Sequence, residues 1–543
     1  MTAATAPPSA AAGPGGDGVG RAAAIISAWN LVARLTGFAR VLALGAALGT
    51  TALGDAYQSA NLVSNILFEL LAGGMLSAVL VPTFVARIEA GDRPGAARLA
   101  GRLLGVAGTA LAVVVAVGMV TAPLLMRALT AGVGDGADRE RQIEVGAFLL
   151  VFFLPQVLLY AVGAVASALL QAERRFAAAA AAPVANNLVV IATMIAFAML
   201  AGGSTDLGVS TGPLVVLAIG TTAGVLAMTA VPLVAIRRAG TGLRPRRPAP
   251  GAERGELRAL AGRGLWAAGH LGANQALVAV TIVLAGAVTG GVVAYQIAFT
   301  FFLLPHALAA NPIFTALFPR LAAAAAAGRR EAFAADLAAG LRAILFLVLP
   351  AAALLAALAL PALRLVRVGA LDGDGADLVA SVLAAYCVGL VGYSGFFLLT
   401  RAAYALDDVR SPTVVNAVAT VVGIVAMVGA WAAATGDGRV VVLGLVHGAV
   451  VTVATVALHR RVVRRTGVAV PVGGALLRAG VAAAAAAGVA WLVADLVGSA
   501  TRAEAAAALA AGGGAGVTAY LLAQLALGSP EVRNPRAVLR GTP

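Results

Sequence analysis

The chain has 543 residues, is 61% hydrophobic and 11% charged, and carries a net charge of +14; its mean hydropathy is +0.95. That balance excludes an ordinary soluble domain and marks an all-α polytopic membrane protein. All 38 basic side chains are arginine, so a P-loop lysine and a Schiff-base lysine are both excluded and an ATP-driven engine within this chain is not expected. The single cysteine, Cys387, allows no intrachain disulfide. No nucleophile–base pair, paired carboxylates or metal-ligand spacing is visible, and LDGDGAD at 371–377 departs from a calcium loop at its required glycine. The expectation is a non-enzyme with no catalytic residue, no metal and no cofactor.

In chain order, residues 1–21 are rich in alanine, proline and glycine and read as a disordered cytoplasmic tail. A bilayer crossing needs about 20 apolar residues. Such runs recur about fourteen times: at 23–49, 55–86, 103–126, 143–170, 178–202 and 212–236; at 260–289, 291–318, 340–362, 378–401, 412–434 and 440–459; and at 475–497 and 503–527. An even count places both termini on one side. With the N-terminus inside, 29 arginines fall in cytoplasmic segments, Arg401 and Arg410 among them, against 7 outside. This positive-inside bias puts both termini in the cytoplasm and explains the basic charge without nucleic acid as a partner. The predicted organisation is a tail (1–21), a first lobe (22–238), a basic cytoplasmic linker (239–258), a second lobe (259–466), a C-terminal helix pair (467–528) and a cytoplasmic tail (529–543).

The two lobes look related. Ala56-Tyr57-Gln58 opens the second span and Ala294-Tyr295-Gln296 the eighth. Pro183 with Asn187 in the fifth span recurs as Pro412 with Asn416 in the eleventh. Matching spans are six apart and so share an orientation, which predicts two six-helix lobes in parallel repeat plus two C-terminal helices. Transporters built from such halves hold substrate between them and rock.

The remaining arginines, Arg34 and Arg40, lie inside the first span, and Glu69 lies inside the second. A charge at the bilayer centre costs about 2.5–3.5 kcal/mol unless it is solvated, so these groups either snorkel and pair or face a water-filled cavity. Arginine, always charged and with a planar fork, suits a phosphate. A six-residue spacing separates Arg34 and Arg40 by about 9 Å and about 120° around a helix, so a wide cavity is needed to take both, with Gly37 as a bend between them. Arg34 and Glu69 sit at similar depths on antiparallel spans, which predicts a contact between them in at least one state of the transport cycle. Asp55, at the start of the second span, reads equally as a helix cap or as part of an outer gate. His270 and His306 read as packing or cavity groups, and Asn65, Asn187 and Asn416 as interhelical hydrogen-bonding groups.

At these residues the chain resembles the MurJ (MviN) family, the lipid II flippases of the MOP superfamily. Arg34, Gly37, Phe38 and Arg40, then Asp55-Ala56-Tyr57, Asn65, Leu67, Gly74 and Val81-Pro82 stand at the spacing of the family's first two helices. The resemblance implies a multi-pass cytoplasmic-membrane protein. It would move lipid II, the undecaprenyl-pyrophosphate-linked peptidoglycan precursor, from the inner to the outer leaflet by alternating access. The implied partners are lipid II, membrane lipids, and cell-wall synthesis or division proteins. The implied substrate-binding residues are Arg34, Arg40, Asp55, Asn65 and Glu69; the implied hinge or gate positions are Gly37, Gly54, Gly73 and Gly74. The last two helices would form a groove for the lipid tail. Coupling would be to membrane potential or a Na+/H+ gradient, with Asn416 and Thr420 as possible ion-binding positions.

The chain departs from the family pattern where many members carry arginines. Here Phe68-Glu69 and Thr300 occupy those places, so a less cationic cavity is expected, and Thr420 stands where an acid would be. The alternatives are an exporter of another polyprenyl-linked glycan within the same superfamily, or a non-transporting cell-wall scaffold.

Overall fold

The computed structural model describes residues 16–70, 80–246, 272, 274–371 and 373–533. All regular elements among them are helical. Eleven spans are long and apolar enough to cross a membrane, and a bent helix pair makes a twelfth. The second and seventh expected spans, 55–86 and 260–289, fall partly outside the described residues.

The first half contains α1 (Gly16–Leu48), α2 (Ala52–Glu69), α3 (Val81–Glu89), α4 (Arg93–Val120), α5 (Ala122–Leu129), α6 (Ala137–Phe153), α7 (Gln156–Ala172), α8 (Phe176–Leu200) and α9 (Thr211–Arg238). The second contains α10 (Asn274–Ala285), α11 (Gly291–Pro305), a π-helical turn (His306–Ala310), α12 (Asn311–Ala326), α13 (Arg330–Ala357), α14 (Ala359–Leu365), α15 (Gly373–Cys387), α16 (Leu390–Ala405), α17 (Arg410–Ala433) and α18 (Gly438–Thr466). The chain continues with α19 (Gly473–Val497), α20 (Arg502–Ala526) and the short α21 (Pro530–Arg533). Two expectations about the termini change. Helix α1 starts at Gly16, inside the expected disordered tail: once the apolar run has nucleated a helix, each added residue gains a hydrogen bond for two fixed dihedrals. The expected C-terminal tail also begins folded, with Glu531 in α21 buried and accepting a bond from Ser529 Oγ at 2.6 Å.

The parallel repeat is visible in hydrogen bonding. Asn187 on α8 donates through Nδ2 to Ala33 O at 3.2 Å and Thr36 Oγ1 at 3.0 Å, joining the fifth span to the first. Its counterpart Asn416 on α17 donates to Asn274 Oδ1 on α10 at 3.0 Å, joining the eleventh to the seventh. Each amide ties the same two positions of its own half, a polar link that needs a partner because lipid supplies none.

Small residues set the helix spacing. The bend between α15 and α16 is 46° and presses Gly389 against Gly448 on α18. A methyl on Gly389 would lie 2.3 Å from Gly448 Cα, and one on Gly448 would lie 2.8 Å from Gly389 N. Only backbone atoms stand there, so nothing can yield. Gly448→Val is expected to destabilise the protein by about 3 kcal/mol, the upper range for overpacking. Gly480→Val, in open space on α19, is expected to be neutral; thermal unfolding in detergent compares the two.

The C-terminal pair packs face to face through Ala482, Ala486 and Ala490, with Gly512 and Gly516 opposite. It docks on α13, where Tyr520 donates to Phe346 O at 2.8 Å.

Burial runs in one direction along the helices that face the other half. On α1, residues 41–48 are mostly buried while most of 25–35 are exposed; on α2, 53–60 are buried while Asn65 and Glu69 are exposed. Helix α11 is largely buried from Gly291 to Phe302, and Leu308 beyond it is 64% exposed. The halves therefore meet at one end and part toward the other, leaving a cleft.

Candidate functional site: a cationic cleft and its closed end

The closed end is built from backbone in contact with backbone. Ala370 N donates to Ala46 O at 2.8 Å, which draws the loop after α14 onto the end of α1. Gly290, at φ 77°, precedes α11 and lies so close to the turn between α1 and α2 that a methyl there would sit 2.2 Å from Thr50 O. Gly54, one of the expected gate positions, sits between Gly49 O and the Val293 side chain, where a methyl would lie 2.7 and 2.8 Å away. Glycine is required here for close approach, and at Gly290 for the left-handed turn as well.

Asp55 fastens this seal. It is 2% exposed and accepts from Gly290 N at 2.7 Å and Val293 N at 3.0 Å. Those are unpaired N–H groups at the start of α11, where the helix dipole also favours a negative charge. Its own helix is capped by Thr51, whose hydroxyl accepts from Gly54 N at 3.2 Å. Asp55 thus caps a helix that belongs to the opposite half.

Further down the cleft the two arginines diverge, as their angular spacing requires. Arg40 is half-buried on the side of the first half, close enough for its charge to act on Tyr57 and Tyr160. Tyr57 lies 3.1 Å from Thr221 Oγ1 through its hydroxyl, and the Phe68 ring packs against Tyr160 at 4.5 Å between centroids, tilted by 45°. Arg34 is exposed in the cleft, and its charge acts on His306, in the π-turn of the second half. The Arg34–Glu69 contact expected in at least one state is not made in this conformation, and Glu69 has no ion-pair partner among the described residues. Matching depth fixes only one coordinate of a contact.

The second half contributes a cation that the sequence reading placed in a cytoplasmic loop. Arg401 lies on α16, its guanidinium 4.9 Å over the Phe314 ring, and its charge also reaches His306. His306 is held by a 3.0 Å bond between Nδ1 and Ser394 Oγ and by the rings of Phe314, Tyr393 and Phe397. The π-turn, in which Asn311 N reaches back five residues to His306 O, sets this angle; such turns recur at functional sites. Thr300 meanwhile bonds to Gln296 O of its own helix at 2.8 Å and supplies no charge. Arg34 and Arg401 thus stand on opposite halves, each near enough for its charge to act on the same imidazole.

Asn416 and Thr420 line a separate cavity of about 250 Å³ inside the second half, with Asn274, Tyr393 and His447. His447 Nε2 is buried there without a hydrogen-bond partner among the described residues. The described lining is mostly apolar and contains no carboxylate. Gly37 packs near the Asn187 amide, with room for a methyl at 3.5 Å. Gly73 and Gly74 lie outside the described residues.

Comparison with known proteins gives this arrangement its relatives. The profile of the family "Lipid II flippase MurJ" matches residues 44–511. The chain belongs to the lipid II flippase MurJ family. It is 31% identical over 400 residues to the probable lipid II flippase MurJ of Rhizobium tropici, covering 72% of each chain. It is 29% identical over 405 residues to that of Rhizobium meliloti, covering 74% of this chain and 73% of the other. Among solved structures it superposes on a lipid II flippase MurJ in an inward closed conformation, with a TM-score of 0.75 at 16% identity, covering 94% of this chain and 99% of that one. An inward-facing MATE multidrug transporter of the MOP superfamily shares the fold at a TM-score of 0.60 and 14% identity, covering 81% and 94%.

Proposed function

We propose that this protein flips lipid II from the cytoplasmic to the outer leaflet of the plasma membrane by alternating access, with both termini in the cytoplasm. The observation that carries the reading is a cleft sealed at one end by Asp55 on the α11 N-terminus and lined below by Arg34, Arg40 and Arg401. Arginine 29-to-7 asymmetry makes the open end cytoplasmic. A pyrophosphate entering there meets two guanidiniums from opposite halves, so binding draws the halves together at the open end. The seal at the far end must then break for release. Substrate charge and Asp55 thus act on opposite ends of one rocking motion.

The energy source in this reading is the membrane potential or an ion gradient. The cavity around Asn416 and Thr420 offers neutral oxygens and an imidazole, which would leave a bound sodium ion uncompensated in a mostly apolar surround, so the potential is the source we favour.

The test is complementation. In cells depleted of their own lipid II flippase, the native chain is expected to restore lipid II at the outer leaflet, and Arg34→Ala/Arg40→Ala, at equal membrane level, is not. Rescue by the double variant would point to a scaffold. Failure of the native chain despite good insertion would point to another polyprenyl-linked glycan.

A further inference from the structure

The arginine-rich face of the first half holds a second cationic site, remote from the cleft. A depression of about 410 Å³ opens between the start of α4 and the turn after α9, lined by Arg93, Arg98, Thr241 and Arg246. Its floor is fixed. Arg246 N donates to Gly101 O at 2.8 Å, and methyls on Gly101 and Gly105 would lie 2.3 and 2.1 Å from the carbonyls of Arg244 and Arg246. The segment 241–246, within the expected basic cytoplasmic linker (239–258), is laid across α4. Buried Glu173 ties the other wall, accepting from Arg93 Nε at 2.9 Å and Thr241 Oγ1 at 3.0 Å.

The charges in this depression are not balanced. Arg93 has Glu173, and Arg98 has a 3.5 Å contact with the exposed Asp92. The exposed Arg246 has no ion-pair partner among the described residues. The N-terminus of α4 does not need an anion, because Asp92 already accepts from Gly95 N at 2.8 Å. The arginine side chains, not the helix end, make the site.

What lies beside the depression decides its occupant. Below Arg98 and Arg102, one face of helix α4 presents Val106, Val113, Val117 and Val120 outward at helical spacing, between 41% and 83% exposed. The rise from Arg98 to Val120 is about 33 Å, close to one bilayer's hydrocarbon thickness of about 30 Å. The arginines therefore stand at headgroup level directly above lipid-facing valines. A soluble anion would use the guanidiniums alone; a lipid uses both.

We propose that this depression is a binding site for an anionic phospholipid, its phosphate held by Arg98 and Arg246 and its acyl chain lying along the α4 valine stripe. Basic pockets between helices at the cytoplasmic surface take such headgroups. The site is independent of the flipping cleft.

Native mass spectrometry of the full-length protein tests this, with phosphatidylglycerol or phosphatidylcholine added. The native chain is expected to retain phosphatidylglycerol over phosphatidylcholine, and Arg98→Gln/Arg246→Gln to weaken that retention roughly 10- to 30-fold. Arg34→Ala should leave it unchanged. Equal retention by the double variant, equal retention of the two lipids, or a loss on Arg34→Ala instead would each overturn the site. Displacement of the lipid by millimolar inorganic phosphate would show a soluble-anion site and overturn the lipid assignment. The variants remove exposed guanidiniums and keep the Arg246–Gly101 backbone bond, and unchanged thermal unfolding confirms that they remain folded.

Discussion

Asp55→Ala is expected to open the sealed end of the cleft. The two bonds from Gly290 N and Val293 N are to a charged acceptor, and bonds of that kind contribute about 1.5–3 kcal/mol each net of water. They exist only while α2 and α11 are together, so they stabilise the closed state and no other. Losing about 3 kcal/mol of that preference moves the closed-to-open ratio by on the order of 100-fold. Asp55→Asn keeps one acceptor oxygen but turns an NH2 toward a backbone N–H, so it should behave nearer to alanine than to wild type. The measurement uses Leu48→Cys, at a residue wholly buried in the seal, in a Cys387→Ala background. Labelling by an impermeant maleimide from the outer side should rise on the order of 100-fold with Asp55→Ala. Unchanged labelling of correctly inserted protein would remove Asp55 from the gate.

Why this residue was readable and its partner was not is a matter of chemistry. Asp55, Arg34 and Arg40 stand out because a charge within an apolar run is expensive wherever it points. The partners of Asp55 are backbone N–H groups, one of them 235 residues away, and a backbone donor leaves no mark in a sequence. The Asn187 and Asn416 pair was legible as a repeat because the same side chain does the same work twice. Arg401 was missed because a charge at the end of an apolar run reads as the first loop residue. The available signal was local: Ser394, Phe397 and Arg401 are spaced three and four apart, so they share one face of α16, and that face holds His306. The Arg34–Glu69 contact, expected in at least one state, is absent from this conformation for the complementary reason, since depth along a helix can be counted and the direction of a side chain across a cleft cannot.

Removing Arg401 is expected to weaken the substrate site while leaving the fold intact. Its guanidinium makes no ion pair among the described residues and rests on Phe314, so Arg401→Ala leaves no buried charge unpaired, and His306 keeps its bond to Ser394. One charge-assisted contact to a pyrophosphate is worth about 1.5–3 kcal/mol, or about 10- to 100-fold in affinity. Lysine keeps the charge and loses the fork, so Arg401→Lys should fall between alanine and wild type. Because Arg34 and Arg401 would grip the same group from opposite halves, Arg34→Ala/Arg401→Ala should cost less than the sum of the two single changes, the mark of coupled residues. Binding of lipid II to purified protein, read beside thermal unfolding, checks all three. Wild-type affinity in a folded Arg401→Ala protein would leave the second half without a substrate cation, since Thr300 has none to offer. The less cationic cleft expected from Phe68, Glu69 and Thr300 would then hold its pyrophosphate from the first half alone, through Arg34 and Arg40, and the rocking motion would have to be triggered by something other than a charge gripped between the halves.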